Sequence, residues 1–198
     1  MSKVVDYYYT PASPWTYLGH QRFEDIARRH AATIKYKPVD YGKIFPLSGG
    51  LPLGKRAPQR QAYRLAELKR WRDFLAVPLT IQPKYHPVAS DLAAQLIIAA
   101  ERAGAPAGSL SFALMRACWA EDRNISDAET LIEIATEQGL DGPKLVAAAR
   151  TREIATLYDA FTREAIDRQV FGAPFFIYKD EPFWGQDRLD FLDRALAH

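Results

Sequence analysis

The residues of this chain that could do chemistry fall into three short stretches and one set of cations. The first stretch is Ser13-Pro14-Trp15-Thr16, a serine in capping position followed by a proline suited to the first residue of a helix. A hydroxyl placed there sits among free backbone N–H groups at the positive end of a helix dipole, which favours a thiolate or another anion. The second is Gly172-Ala173-Pro174-Phe175. A cis proline there would turn the Ala173 backbone outward to pair with an extended peptide, whereas a trans proline would simply begin a strand. The third, Gly185-Gln186-Asp187-Arg188, offers amide donors and a carboxylate to an amino-acid head group, or a cap to the helix that follows. Lys43, Lys55, Arg56, Arg60 and Arg64 could hold carboxylates or form a solvated basic face. Trp15 and Tyr17 could stack on an aromatic ligand or fill the core.

Other chemistry is excluded by count. Cys118 is the only cysteine, so an internal disulfide, a Cys-x-x-Cys redox pair and a thiolate zinc site are ruled out. Beside Trp119 in a helical pattern, it reads as packing. His20, His30, His86 and His198 are scattered without metal-ligand spacing, and His86, between Tyr85 and Pro87, reads as an isolated loop residue. Lys+Arg 26 against Asp+Glu 24 leaves +2, too small a bias for a general nucleic-acid binder. Hydrophobic residues at 48% and charged residues at 25% are the balance of a globular protein. Asp6 breaks the apolar start, and the greasiest stretch, 92–100, is closed by Glu101-Arg102 at about half the length of a membrane span. The expectation is a cytoplasmic protein with a reduced thiol and no membrane partner.

The elements that must position these residues read as follows. Residues 3–9 are a buried strand, 14–29 a helix whose last turn carries Arg28 and Arg29, and 33–39 a second, alternating strand. Strand, helix, strand implies a right-handed parallel crossover. Residues 42–57, rich in Gly and Pro, are expected to be a loop with one short turn. Helical patterns follow at 58–76, 88–104, 107–121, 128–138, 142–149 and 151–169. Beta character returns at 174–179, turns at Asp180-Glu181, and continues through 182–184 before a closing helix over 187–197. Neither beta part can close a core alone. Together they make an α/β, thioredoxin-like domain (βαβ…ββα) from residues 1–45 and 170–198, with an all-helical domain inserted over 46–169.

In a sheet of that kind the working position is the loop between the first strand and the first helix. Redox members carry Cys-x-x-Cys there, whereas this chain carries Ser13-Pro14-Trp15-Thr16 and cannot form a mixed disulfide itself. A hydroxyl can still donate a hydrogen bond to the thiolate of another molecule. Ser13, Ala173-Pro174 and Gln186-Asp187 would lie along one edge of the sheet. Thiol, peptide backbone and α-amino-acid end is the order of groups in glutathione.

These stretches carry a resemblance to a known family over essentially the full chain. Ser13-Pro14-Trp15-Thr16-Tyr17-Leu18-Gly19, the Arg60-to-Pro78 helix ending Phe74-Leu75-Ala76-Val77-Pro78, Trp119 with Asn124-Ile125-Ser126, Phe171-Gly172-Ala173-Pro174 and Gly185-Gln186-Asp187-Arg188-Leu189 together resemble the 2-hydroxychromene-2-carboxylate isomerase and kappa-class glutathione transferase family. The resemblance implies a glutathione-binding homodimer. It implies that Ser13 contacts the glutathione sulfur, that Ala173 and Pro174 meet its cysteinyl backbone, and that Gln186 and Asp187 hold its γ-glutamyl end. The reaction implied converts a small aromatic hemiketal or α-keto acid to its trans-benzylidenepyruvate form, with Trp15, Tyr17, Lys43, Arg56 and Arg60 as candidates on the substrate side. A kappa-like transferase or peroxidase, and a non-catalytic ligand-binding module, are the alternatives. Two positions depart from the family pattern: Gly50 stands where members often carry Asn, and Arg60 where a Lys is common.

Overall fold

Val4–Tyr9 forms strand β1, which lies inside a four-stranded sheet of order β2-β1-β3-β4 in a computed structural model that describes residues 2–198. Val5, Tyr7 and Tyr9 point into one apolar cluster and Tyr8 into another, so both faces of the strand are covered. That is why Tyr7, Tyr8 and Tyr9 run on without alternation, while the half-buried Asp6 is paired with Lys37 and Arg168. Strand β2 (Thr33–Pro38) pairs with β1 in parallel, from Val4 opposite Thr33 to Tyr9 opposite Pro38. Strands β3 (Phe175–Tyr178) and β4 (Glu181–Trp184) add antiparallel, with Tyr8 opposite Phe175 and Phe175 opposite Trp184. The first of these parallel strands reaches the second through helix α1 (Pro14–Arg29), capped by Ser13 with Pro14 at its first position.

The region expected as loop over 42–57 contains a helix, α2 (Tyr41–Ser48). Asp40 caps it by accepting from Gly42 N at 2.7 Å, and Tyr41 and Ile44 bury one face three residues apart. Gly49, at φ 72°, ends it in the left-handed conformation. Gly and Pro composition concealed these local signals. Residues 50–57 stay irregular apart from a 3-10 turn at Leu53–Lys55.

Helices α3 (Pro58–Leu75), α4 (Asp91–Arg102), α5 (Ala107–Ala120), α6 (Ala128–Glu137), α7 (Gly142–Ala149) and α8 (Arg152–Asp167) follow within a few residues of the expected bounds. Asp127, Asp141 and Thr151 accept from backbone N–H groups three residues on, which fixes the starts of α6, α7 and α8. Helix α4 is buried almost all round (Ala93, Ala94, Leu96 to Ala100) and packs against α5, α7, α8 and β2. One apolar cluster therefore runs from Tyr7 and Phe176 in the sheet to Ile97, Trp119 and Leu131 among the helices.

Two details of the C-terminal part differ from expectation. The β3–β4 turn is Lys179-Asp180, both at positive φ, and Glu181 already belongs to β4 opposite Tyr178. Positive φ at both central residues matches the twist of a tight hairpin. The closing helix is split into a 3-10 turn, Gln186–Arg188, and helix α9 (Leu189–Ala197). Asp187 caps neither piece, because its carboxylate accepts from Arg188 Nη1 at 2.6 Å instead. Among the described residues, no helix is long and apolar enough to cross a membrane.

Candidate active site

The register of the strands brings three separated loops to one end of the sheet. Tyr9 ends β1, Phe175 begins β3 opposite Tyr8, and Trp184 ends β4 opposite Phe175. Residues 10–13, 172–174 and 185–188 therefore leave the sheet side by side. Backbone hydrogen bonds shape them: Ser13 N donates to Thr10 O at 3.1 Å within the first loop, and Gly185 N to Pro174 O at 3.0 Å joins the third to the second. Tyr41 Oη, delivered by α2, donates to Gly172 O at 2.7 Å. The Thr10 and Ser90 hydroxyls, 3.0 Å apart, tie the first loop to the start of α4.

Ser13 caps α1 with extended backbone, φ −90° and ψ 123°, and its Oγ accepts from Thr16 N at 3.2 Å. A serine hydroxyl carries two lone pairs and one proton. Among the described residues the Ser13 hydroxyl donates to nothing, so the cap uses its acceptor side and leaves the proton uncommitted. In the same turn Thr16 Oγ1 is buried without a hydrogen-bond partner, and no acidic residue offsets the positive end of α1. The corner is built to receive negative charge.

The Ala173–Pro174 peptide bond is cis. The carbonyls on either side are spoken for, Gly172 O by Tyr41 and Pro174 O by Gly185 N. Ala173 N–H and C=O pair with nothing among the described residues, and the residue is half-buried. One residue thus presents a donor and an acceptor together, as an unpaired strand does. Gly172 leaves room for the indole of Trp184: a Cβ there would lie 2.4 Å from Trp184 Nε1.

Gln186 and Asp187 face different ways. Gln186 is 2% exposed, and its Oε1 accepts from Arg22 Nη1 at 2.7 Å. Asp187 is exposed beside Arg188. Burial pulls the Arg22 pKa down, while Asp187 and Asp190 push it back up. Arg22 is a site neighbour that sequence reasoning missed. Its partner lies at the far end of the chain, and no local spacing announces the pair.

The residues expected on the substrate side are dispersed. Tyr17 is in the core, 2% exposed, stacked on Phe112 with ring centroids 5.7 Å apart and donating to Pro78 O at 2.9 Å. Trp15 is partly buried against the same core. Lys43 sits on Asp159 at 2.7 Å. Arg56 is half-buried and donates through Nε to Leu51 O at 2.8 Å, while Arg60 is exposed. The space beside Gly50 is taken by Phe45, whose ring would stand 2.3 Å from a Cβ. Cys118 is buried, and burial pushes its thiol up to about 12. His86 is not isolated: its ring lies 4.6 Å from that of Trp119, and burial with the nearby Arg64 charge lowers it to about 4.

An uncommitted hydroxyl at a helix end beside an open stretch of backbone suits an extended, peptide-like ligand that brings its own anion. Residues 4–197 match the DSBA-like thioredoxin domain. The 2-hydroxychromene-2-carboxylate isomerase of Sphingobium xenophagum is 30% identical over 197 residues, covering 99% of both chains. Glutathione S-transferase kappa 1 of Caenorhabditis elegans is 22% identical, over 95% of this chain and 88% of its own. A solved 2-hydroxychromene-2-carboxylate isomerase superposes with a TM-score of 0.84 at 26% identity, over 98% of this chain and 94% of that one. The chain belongs to the DSBA-like thioredoxin-domain family and, within it, to the group of 2-hydroxychromene-2-carboxylate isomerases and kappa-class glutathione transferases.

Proposed function

We propose that this protein is a glutathione-dependent isomerase that converts 2-hydroxychromene-2-carboxylate-like hemiketals, through their ring-opened α-keto acids, to the trans-benzylidenepyruvate form. The observation that carries the reading is the uncommitted proton of Ser13 at the N-terminus of α1, in a chain whose only thiol is buried elsewhere. The residues fit glutathione. Ser13 takes the sulfur, Ala173 offers its free N–H and C=O to the cysteinyl backbone, and of the Gln186-Asp187 turn the exposed Asp187 meets the γ-glutamyl end, with Gln186 turned inward onto Arg22 behind it. When bound, glutathione supplies a thiolate that adds reversibly to a conjugated carbon, so that a rigid double bond can rotate. Ser13 donates its proton as a hydrogen bond to the sulfur and, with the free N–H groups of the first turn, favours the ionised form. It acts as an electrostatic stabiliser and not as a covalent nucleophile. Assembly as a homodimer belongs to the same proposal, and light scattering tests it.

The test is calorimetric titration with glutathione, followed by isomerisation of the chromene acid with and without it. Saturable binding and a glutathione requirement are expected; the absence of binding at millimolar concentration would overturn the reading. Similarity to a kappa-class transferase supports a second reading, conjugation to an electrophilic acceptor. Turnover of an electrophilic arene in place of the chromene acid would favour it.

A further inference from the structure

Of the four arginines of α3, Arg60 in the first turn is exposed, and the other three divide into two groups. Arg70 and Arg72 are neutralised by carboxylates of their own helix, Glu67 at 2.6 Å and Asp73 at 2.9 Å. Arg64, a turn and a half earlier, is half-buried and has no carboxylate partner among the described residues. Its guanidinium Cζ stands 5.8 Å from the ring centroid of Trp119, which is fully buried and carries the His86 ring on it at 4.6 Å. Arg56, just before α3, is half-buried and close enough to repel Arg64. A cation desolvated beside a second cation and given no counter-ion is costly to maintain, unless an anion joins it. Burial and Arg56 pull Arg64 down to about 10, so it keeps its charge at neutral pH. His86 stays neutral there and adds no competing charge.

Hydrogen bonds link the segments around this platform to α1 and to the Ser13 loop. Pro78, just after α3, accepts the Tyr17 hydroxyl of α1, and Trp119 O accepts from Thr80 N at 2.6 Å. The segment after His86 runs to Ser90, bonded to Thr10 of the Ser13 loop. The backbone and turn assigned to glutathione, 172–187, come instead from the strands. We propose that Arg64, held on the Trp119 plate, anchors the carboxylate of the second, aromatic substrate and makes the site select acids over their neutral analogues. A planar guanidinium suits a carboxylate because it can donate two parallel hydrogen bonds. The inference rests on the isomerase reading for the identity of that acid. It gives Arg64 a specificity role that Tyr17 and Lys43, one buried and the other paired, do not fill.

The experiment is calorimetry on the whole protein with trans-cinnamate and trans-cinnamamide as probes, in the wild type, Arg64→Met and Arg64→Lys. Cinnamate is expected to bind about tenfold to a hundredfold more tightly than the amide. Arg64→Met should abolish that preference, Arg64→Lys should keep part of it, and neither should change the affinity for glutathione. The proposal is overturned if acid and amide bind alike, if neither binds, if Arg64→Met retains the preference, or if Arg64→Met weakens glutathione instead. Should glutathione fail to bind the wild type while the Arg64-dependent preference persists, the isomerase reading falls and the carboxylate anchor stands.

Discussion

Replacing Ser13 by Ala and, separately, by Gly would separate its two roles. The first role is structural: Oγ accepts from Thr16 N at 3.2 Å and caps α1. Loss of such a cap to Ala costs about 1 kcal/mol, whereas Gly at the same position costs only a few tenths. In a chain of this size 1 kcal/mol lowers Tm by about 2–4 °C. The second role is chemical and is lost equally in both variants, since neither has a hydroxyl to donate. A hydrogen bond to a charged group contributes about 1.5–3 kcal/mol. At about 1.4 kcal/mol per tenfold, the pKa of the bound glutathione thiol should rise by about 1–2. Less thiolate is then present at neutral pH, so turnover there falls by about tenfold to a hundredfold and recovers as the pH is raised. The assay is the ultraviolet absorbance of the thiolate in the glutathione complex across pH, beside the rate profile and a thermal melt. Both variants should move the titration alike, and only Ser13→Ala should melt appreciably earlier. A Ser13→Gly protein that titrates like the wild type would refute the reasoning, because the proton of Ser13 would then play no part.

Three further outcomes follow from the geometry. Cys118, with its thiol pushed up to about 12, should resist alkylation at neutral pH in the native protein and react once the chain is unfolded; labelling of the native protein would contradict its burial. His86 ionises near 4 in the fold but near 6.5 when unfolded, so the unfolded chain takes up the proton first as pH falls. Its contribution is full above pH 6.5 and is lost on acidification towards pH 4. The full gap corresponds to about 3 kcal/mol, which solvent screening of a partly exposed ring reduces to about 1.5 kcal/mol. Denaturant titrations across that range should show the slope, and His86→Phe should remove it; an unchanged slope in the variant would refute the assignment. Gly142→Ala should destabilise by about 1–3 kcal/mol despite the better helix propensity of Ala, because the new Cβ would lie 2.3 Å from Ile132 O, an immobile backbone atom. An equal or higher melting temperature would show that α6 and α7 can separate without cost.

Much of the architecture was legible because it is encoded by neighbours a few residues apart. Ser13 before Pro14, the apolar run of β1 and the alternation of β2 each act within one turn or one strand pleat, so they survive in the bare sequence. The same is true of the missing second thiol, which is a matter of composition. Helix α2 escaped because Gly and Pro outweighed a valid Asp40 cap and a two-residue apolar face. The last helix was read as one piece because its break falls at Arg188, whose backbone leaves the helical region at φ −116° and ψ 11°, a departure that an arginine permits but does not announce.

The candidate site was legible only in outline. Sequence alone named Ser13, Ala173-Pro174 and Gln186-Asp187 and required that any reactive sulfur come from another molecule. Which of their atoms remain free was decided by the tertiary structure. Gln186 turns inward to Arg22, Tyr41 occupies Gly172 O, and Ala173 is left open between two committed carbonyls. Five cations looked alike in the sequence, yet only packing stations Arg64 on a buried tryptophan without a counter-ion. The physical reason is common to all of these. Secondary structure is set by interactions between residues near in sequence, whereas the free valence of a polar group depends on which distant segments have already satisfied it.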